Sequence, residues 1–89
     1  MNTIKGIIVP VNWNKKGKVT AIAISTFDED EYVVSEEGEK GMELFCLLQQ
    51  PVEVIGKVQI IKKKKKILVE EYFMKHEKIA TLKERPSTQ

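Results

Sequence analysis

Apolar and polar residues alternate along most of this 89-residue chain, and the places where alternation fails mark its turns. From Ile4 to Trp13 the run is rich in isoleucine and valine. Ile7, Val9, Val11 and Trp13 recur at period two, which predicts a strand with those side chains on one face. Gly6 and Pro10 interrupt it. A glycine inside a strand marks a bend or bulge, and a proline cannot donate to a ladder, so this strand is expected to be coiled and partly at an edge. Asn14-Lys15-Lys16-Gly17 places asparagine at the first position of a type I turn and glycine where a left-handed residue closes a bulged hairpin. Lys18 to Phe27 resumes as a strand, Asp28 to Glu31 makes the next turn, and Tyr32-Val33-Val34 is a short third strand.

The period then changes. Ser35-Glu36-Glu37-Gly38 breaks the pattern, with Ser35 or Gly38 as cap. Beyond it Met42, Phe45, Cys46 and Gln49 form one helical stripe, and Leu44, Leu47 and Leu48 form its neighbour. This spacing predicts a three-turn helix from Glu39 to Gln50, which Pro51 ends. Val52, Val54, Val58 and Ile60 alternate with Glu53, Ile55, Lys57 and Gln59 in a fourth strand interrupted at Gly56, and Ile67 to Phe73 is its antiparallel partner. Pairing Ile60 with Ile67, Val58 with Val69 and Val54 with Phe73 keeps apolar residues together and sets Lys57 opposite Glu70. Glu71 then falls on the apolar face, which calls for a bulge or a barrel mouth. Phe27 and Phe73 read as core residues. After Phe73 the apolar density drops, dividing the chain into a folded domain, residues 1–73, and a tail, residues 74–89, that is partly helical or frayed.

Size and composition allow one domain with its own core, since 42% of the residues are hydrophobic and the charged 31% nearly cancel to +2. Cys46 is the only cysteine and His76 the only histidine, so neither an internal disulfide nor a Cys/His zinc cluster is available. Cys46 falls on the apolar stripe as a small core residue. His76 and Glu77 are adjacent, and adjacent residues on a helix do not face each other as an acid-base pair would. With no glycine-rich phosphate loop or nucleophile motif, neither an enzyme nor a cofactor is expected. Met1 to Lys5 is polar, and Ile7-Ile8-Val9 is broken by Pro10 and Asn12, which is unlike a signal peptide. No run nears the ~18 apolar residues of a membrane span. The expectation is a cytoplasmic protein that does not enter the membrane.

Charge is unevenly distributed. Residues 1–27 carry Lys5, Lys15, Lys16 and Lys18 and no acid. Residues 28–43 carry eight acids against Lys40, and residues 44–69 carry Lys57 and the run Lys62, Lys63, Lys64, Lys65 and Lys66 against Glu53 alone. Three strands, a helix and two strands, with glycine inside the first and fourth, is the order of the OB-fold, an all-β five-stranded Greek-key barrel. The stretches Lys5-Gly6-Ile7-Ile8, Gly17-Lys18-Val19-Thr20, Glu31-Tyr32-Val33-Val34 and Gln50-Pro51-Val52-Glu53-Val54-Ile55-Gly56-Lys57-Val58 resemble nucleic-acid-binding OB domains of the tRNA-anticodon and replication-protein type.

The resemblance implies a ligand groove across the second and third strands, flanked by the loops Asn14 to Lys18 and Lys62 to Lys66, both basic. On that reading Lys15, Lys16, Lys18, Lys62, Lys63, Lys64, Lys65 and Lys66 hold phosphates of single-stranded DNA or RNA, and Trp13 or Tyr32 stacks a base. Two alternatives accompany it. A lysine-rich hairpin also deters edge pairing, and Trp13 also continues an apolar face as a core or rim residue. The acidic turn works against the reading, because carboxylates between the two binding strands repel a phosphate backbone. Residues 28–31 lack the spacing of a calcium loop, so a solvated turn is expected there. The competing expectation is a protein-interaction module, docking a partner through an exposed edge strand or the tail. Both assume that the two lysine-bearing tips share one rim of a closed barrel.

Overall fold

The computed structural model describes residues 1–74. Its strands are β1 (Asn2–Trp13), β2 (Val19–Ser25), β3 (Glu31–Val34), β4 (Pro51–Ile61) and β5 (Lys64–Met74). Between β3 and β4 stand a short helix, α1 (Glu39–Glu43), and a 3-10 turn, Leu44–Leu47. The strands close in the order β1-β2-β3-β5-β4, with β3 and β5 parallel and all other neighbours antiparallel. This is the five-stranded OB-fold barrel that the element order predicts. Of the tail, only Met74 lies within the described residues, and it ends β5.

Barrel closure follows from the length of β1, which serves two neighbours. Its first half, Asn2 to Ile7, pairs with β4, and its second half, Ile7 to Trp13, pairs with β2. Ile4, Gly6 and Ile8 point inward, where Ile4 and Ile8 join Ile22, Ile24, Val34, Leu44, Val52, Val54, Ile67 and Val69 in one core. The apolar face expected of Ile7, Val9, Val11 and Trp13 is therefore not the one that fills the core. Ile7 is 39% and Trp13 53% exposed. Gly6 selects the face: a Cβ there would run into the carbonyl oxygen of Ser25, so only glycine lets β1 fold this tightly over β2. Register shifts on either side of Asn12 then turn the strand end.

The predicted three-turn helix is also corrected. Five α-helical residues pass into a 3-10 turn, because the next residues are committed to β1. Gln49 donates its N–H to the Ile8 carbonyl at 2.7 Å, and Ile8 donates to the Gln50 carbonyl at 3.2 Å. Gln49 adopts a φ of 68° to do so. Leu44 is fully buried, whereas Met42 and Cys46 are exposed, so the inner stripe is Leu44, Leu47 and Leu48 with Phe45. α1 is tied to β5 by Tyr72, whose hydroxyl donates to Glu43 at 2.7 Å, and by a Lys40–Glu71 ion pair at 3.6 Å.

Between β4 and β5 the observed pairs are Val58 with Ile67, Gly56 with Val69, Val54 with Tyr72 and Glu53 with Phe73. The predicted register was two residues out near the turn and one residue out near the helix. A bulge between Ile55 and Gly56 accounts for the change, since Glu70 has no partner in the ladder. It turns Glu71 to solvent, as its charge requires, and carries Phe73 out with it, 52% exposed rather than in the core. Lys57 reaches Glu70 only diagonally, at 4.0 Å. Gly56 is needed here because a Cβ would strike the Leu68 carbonyl oxygen.

Candidate functional site

The lysine run is less a loop than a strand. Ile61 pairs with Lys64, so Lys62 and Lys63 alone form a two-residue turn, with φ of 51° and 70°. Positive φ at both central residues defines a type I′ turn, which matches the twist of the flanking strands. The expected long tip over Lys62 to Lys66 is thus corrected. β4 runs on through Ile61, and Lys65 and Lys66 lie in register with Tyr32 and Val33 of β3.

Residues paired across a sheet share a face, so the run divides. Ile24 is in the core and pairs with Tyr32, which pairs with Lys65, so Lys65 turns inward at the barrel mouth. There its Nζ donates to Asp30 Oδ1 at 2.7 Å and sits 5.4 Å from the centroid of the Tyr32 ring. The Asp30 hydrogen bond raises the Lys65 pKa above its ordinary 10.5, against the smaller opposing effect of burial. Lys65 therefore already holds a counter-charge. The half-buried Tyr32 ring packs against the core, with Lys65 over it. The acidic turn is accordingly only partly a solvated one.

Lys64 and Lys66 point to the opposite, outer face, beside the two turn lysines. Lys62, Lys63, Lys64 and Lys66 are exposed, and none takes part in an ion pair among the described residues. On that outer face, β1, β2 and β3 contribute Val9, Ala23 and Val33 as register neighbours. A cleft of about 520 Å³ lies over this surface, with Val11, Ala21 and Val33 in its floor, Lys63 to Lys65 along one wall and Glu29 to Glu31 beside them. The floor is small and aliphatic.

The other three lysines lie elsewhere. Lys15, Lys16 and Lys18 are exposed on the β1–β2 turn, where Asn14 Oδ1 accepts from the N–H groups of Lys16 and Lys18 at 2.9 and 3.0 Å. Because β1 and β4 run antiparallel, the turns that follow them leave the sheet in opposite strand directions. The two lysine tips do not share a rim, and the length of β2, about 20 Å at a strand's rise, separates their levels. The tip that shares the rim with Lys62 and Lys63 is the acidic β2–β3 turn, as the Asp30–Lys65 contact requires. Trp13 follows Asn12, one of the residues lining the cleft, and is half exposed.

Phe27 was misassigned to the core: it is 92% exposed at the β2–β3 turn, beside a cleft of about 580 Å³ that Lys5, Tyr32 and Glu53 also line. Its neighbours signal this, since a phenylalanine followed by four acids belongs to a turn. No helix among the described residues is long and apolar enough to cross a membrane. Compared with protein-family models, curated proteins and solved structures, the chain matches none significantly.

Proposed function

We propose that this barrel is a non-catalytic module that binds single-stranded DNA or RNA weakly and with little regard to sequence. With the shared rim gone, the observation that carries the reading is confined to one hairpin: Lys62, Lys63, Lys64 and Lys66 are four exposed ammonium groups that form no ion pair among the described residues. Lys62 and Lys63 hold a left-handed conformation that costs a side-chain-bearing residue about 1 to 2 kcal/mol and that Asn-Gly adopts readily. Strain kept at a surface turn argues for a role of the strained residues themselves.

Phosphates engage these four lysines, of which Lys63 and Lys64 line the cleft, and the backbone continues over the aliphatic floor toward Trp13, Lys15, Lys16 and Lys18. Lys65 and Tyr32 contribute through the Asp30 contact, by fixing the strand that carries the others. A floor of valine and alanine has no donors or acceptors with which to read base edges, which supports indifference to sequence. Trp13, half exposed, offers a base a stacking face at the other end of β2.

Fluorescence anisotropy with a labelled twenty-nucleotide oligothymidine tests the reading. Replacing Lys62, Lys63, Lys64 and Lys66 by serine is expected to abolish binding, while replacing Lys65 leaves most of it. Unchanged affinity in the fourfold serine variant would overturn the assignment.

A further inference from the structure

β4 outruns its neighbour. The first pair between β1 and β4 is Asn2 with Gly56, yet β4 continues to Ile61. Among the described residues, Lys57 to Ile61 have β5 on one side and no strand on the other, and none of the backbone hydrogen bonds outside the ladders reaches them. Five residues at a strand's rise give about 16 Å of open edge, along which every second residue turns its N–H and C=O outward. Ile60 pairs with inward Lys65 and Ile61 with outward Lys64, so the edge carries one isoleucine on each face, 69% and 53% exposed. An exposed, aliphatic strand edge is a template for a further strand.

We propose that this edge binds an extended acidic segment of a partner protein, added to β4 as a sixth strand. Charge selects the occupant. Lys57 lies on the edge, and Lys62, Lys63, Lys64 and Lys66 follow immediately. A second copy of the chain, paired antiparallel about Gln59, would set Lys57 of each copy beside the lysine turn of the other, concentrating like charge on both sides. A strand with carboxylates between aliphatic residues meets the lysines with opposite charge and covers Ile60 and Ile61 with its own apolar side chains. The inference shares the hairpin lysines with the nucleic-acid reading but does not rest on it, because its ladder needs peptide groups that a sugar-phosphate backbone lacks.

The test uses the full-length, ¹⁵N-labelled chain and two synthetic seven-residue peptides, one alternating glutamate with valine and one alternating lysine with valine. The glutamate peptide is expected to shift the amide resonances of Lys57 to Ile61 and slow the exchange of alternate amides there. The lysine peptide should do neither. Substituting Ile60→Thr with Ile61→Thr, which keeps the β-branching and adds no charge, should weaken the glutamate peptide at least fivefold without moving the urea midpoint, since both side chains are already exposed. Replacing Lys62 and Lys63 by serine should weaken it by about fivefold, the worth of two exposed charge pairs. Shifts on the lysines without amide protection would reduce the effect to bulk charge and overturn the proposal. Equal binding of the lysine peptide, or concentration-dependent shifts along the edge without peptide, which report self-pairing, would overturn it as well.

Discussion

Replacing the turn Lys62-Lys63 by Asn-Gly should stabilise the protein while removing its proposed function. Both lysines occupy the left-handed region, at φ of 51° and 70°. For a residue with a Cβ this region costs about 1 to 2 kcal/mol, asparagine tolerates it better than lysine, and glycine occupies it freely. Part of the gain is offset, because glycine adds disorder to the unfolded chain by about 0.5 to 1 kcal/mol. The net expectation is a stabilisation of about 1 kcal/mol, or roughly 4 to 8 °C in Tm for a domain of this size. Urea unfolding followed by far-ultraviolet circular dichroism measures it, and the same variant, short of two of the hairpin's four exposed lysines, should bind oligonucleotide much more weakly. A midpoint that stays put or falls would show that the lysines are not strained in the turn, and the argument from strain to function would go with it.

Gly56→Ala should cost about 2 to 4 kcal/mol, because the new Cβ meets Leu68 backbone rather than a side chain that can swing away. Gly17→Ala, with nothing within 4 Å of its Cβ, should cost only the about 1 to 2 kcal/mol of its φ of 82°. Equal losses in urea denaturation would argue against the observed β4–β5 register. Leu44→Ala, at a fully buried site, should cost about 2 to 5 kcal/mol despite its place in a 3-10 turn. For Lys65 the sign is set by its raised pKa: the Asp30 contact stabilises the fold fully below pH 10.5 and is lost as pH rises through the higher folded value. Asp30→Asn should therefore flatten the alkaline limb of a plot of stability against pH, and an unchanged limb would remove Lys65 from that contact in solution.

The barrel was legible because its ingredients are local. Alternation locates all five strands, Asn14 and Gly17 mark the first hairpin, and Glu71 on an apolar face announces the bulge that the ladder contains. What failed depends on partners distant in sequence. Periodicity in Ile4 to Trp13 supports either face, and the choice falls to Gly6 because Ser25 approaches it. The helix stops early because Gln49 and Gln50 bond to Ile8, more than forty residues before them. Lys65 reads like its four neighbours, and only the fold brings Asp30, thirty-five residues away in sequence, against it. Tyr32, likewise, is brought beneath Lys65 only by the pairing of β3 with β5. The assumed shared rim failed on strand direction alone.

The most direct measurement is the oligonucleotide dissociation constant of the parent protein over a range of salt concentrations, with the intrinsic fluorescence of Trp13 as signal. The four hairpin lysines contribute about −2.8 to the slope of log affinity against log salt on a single strand, and replacing Lys62 and Lys63 by serine should make the slope shallower by about 1.4. A slope near zero, or one that the substitutions leave unchanged, would contradict the account.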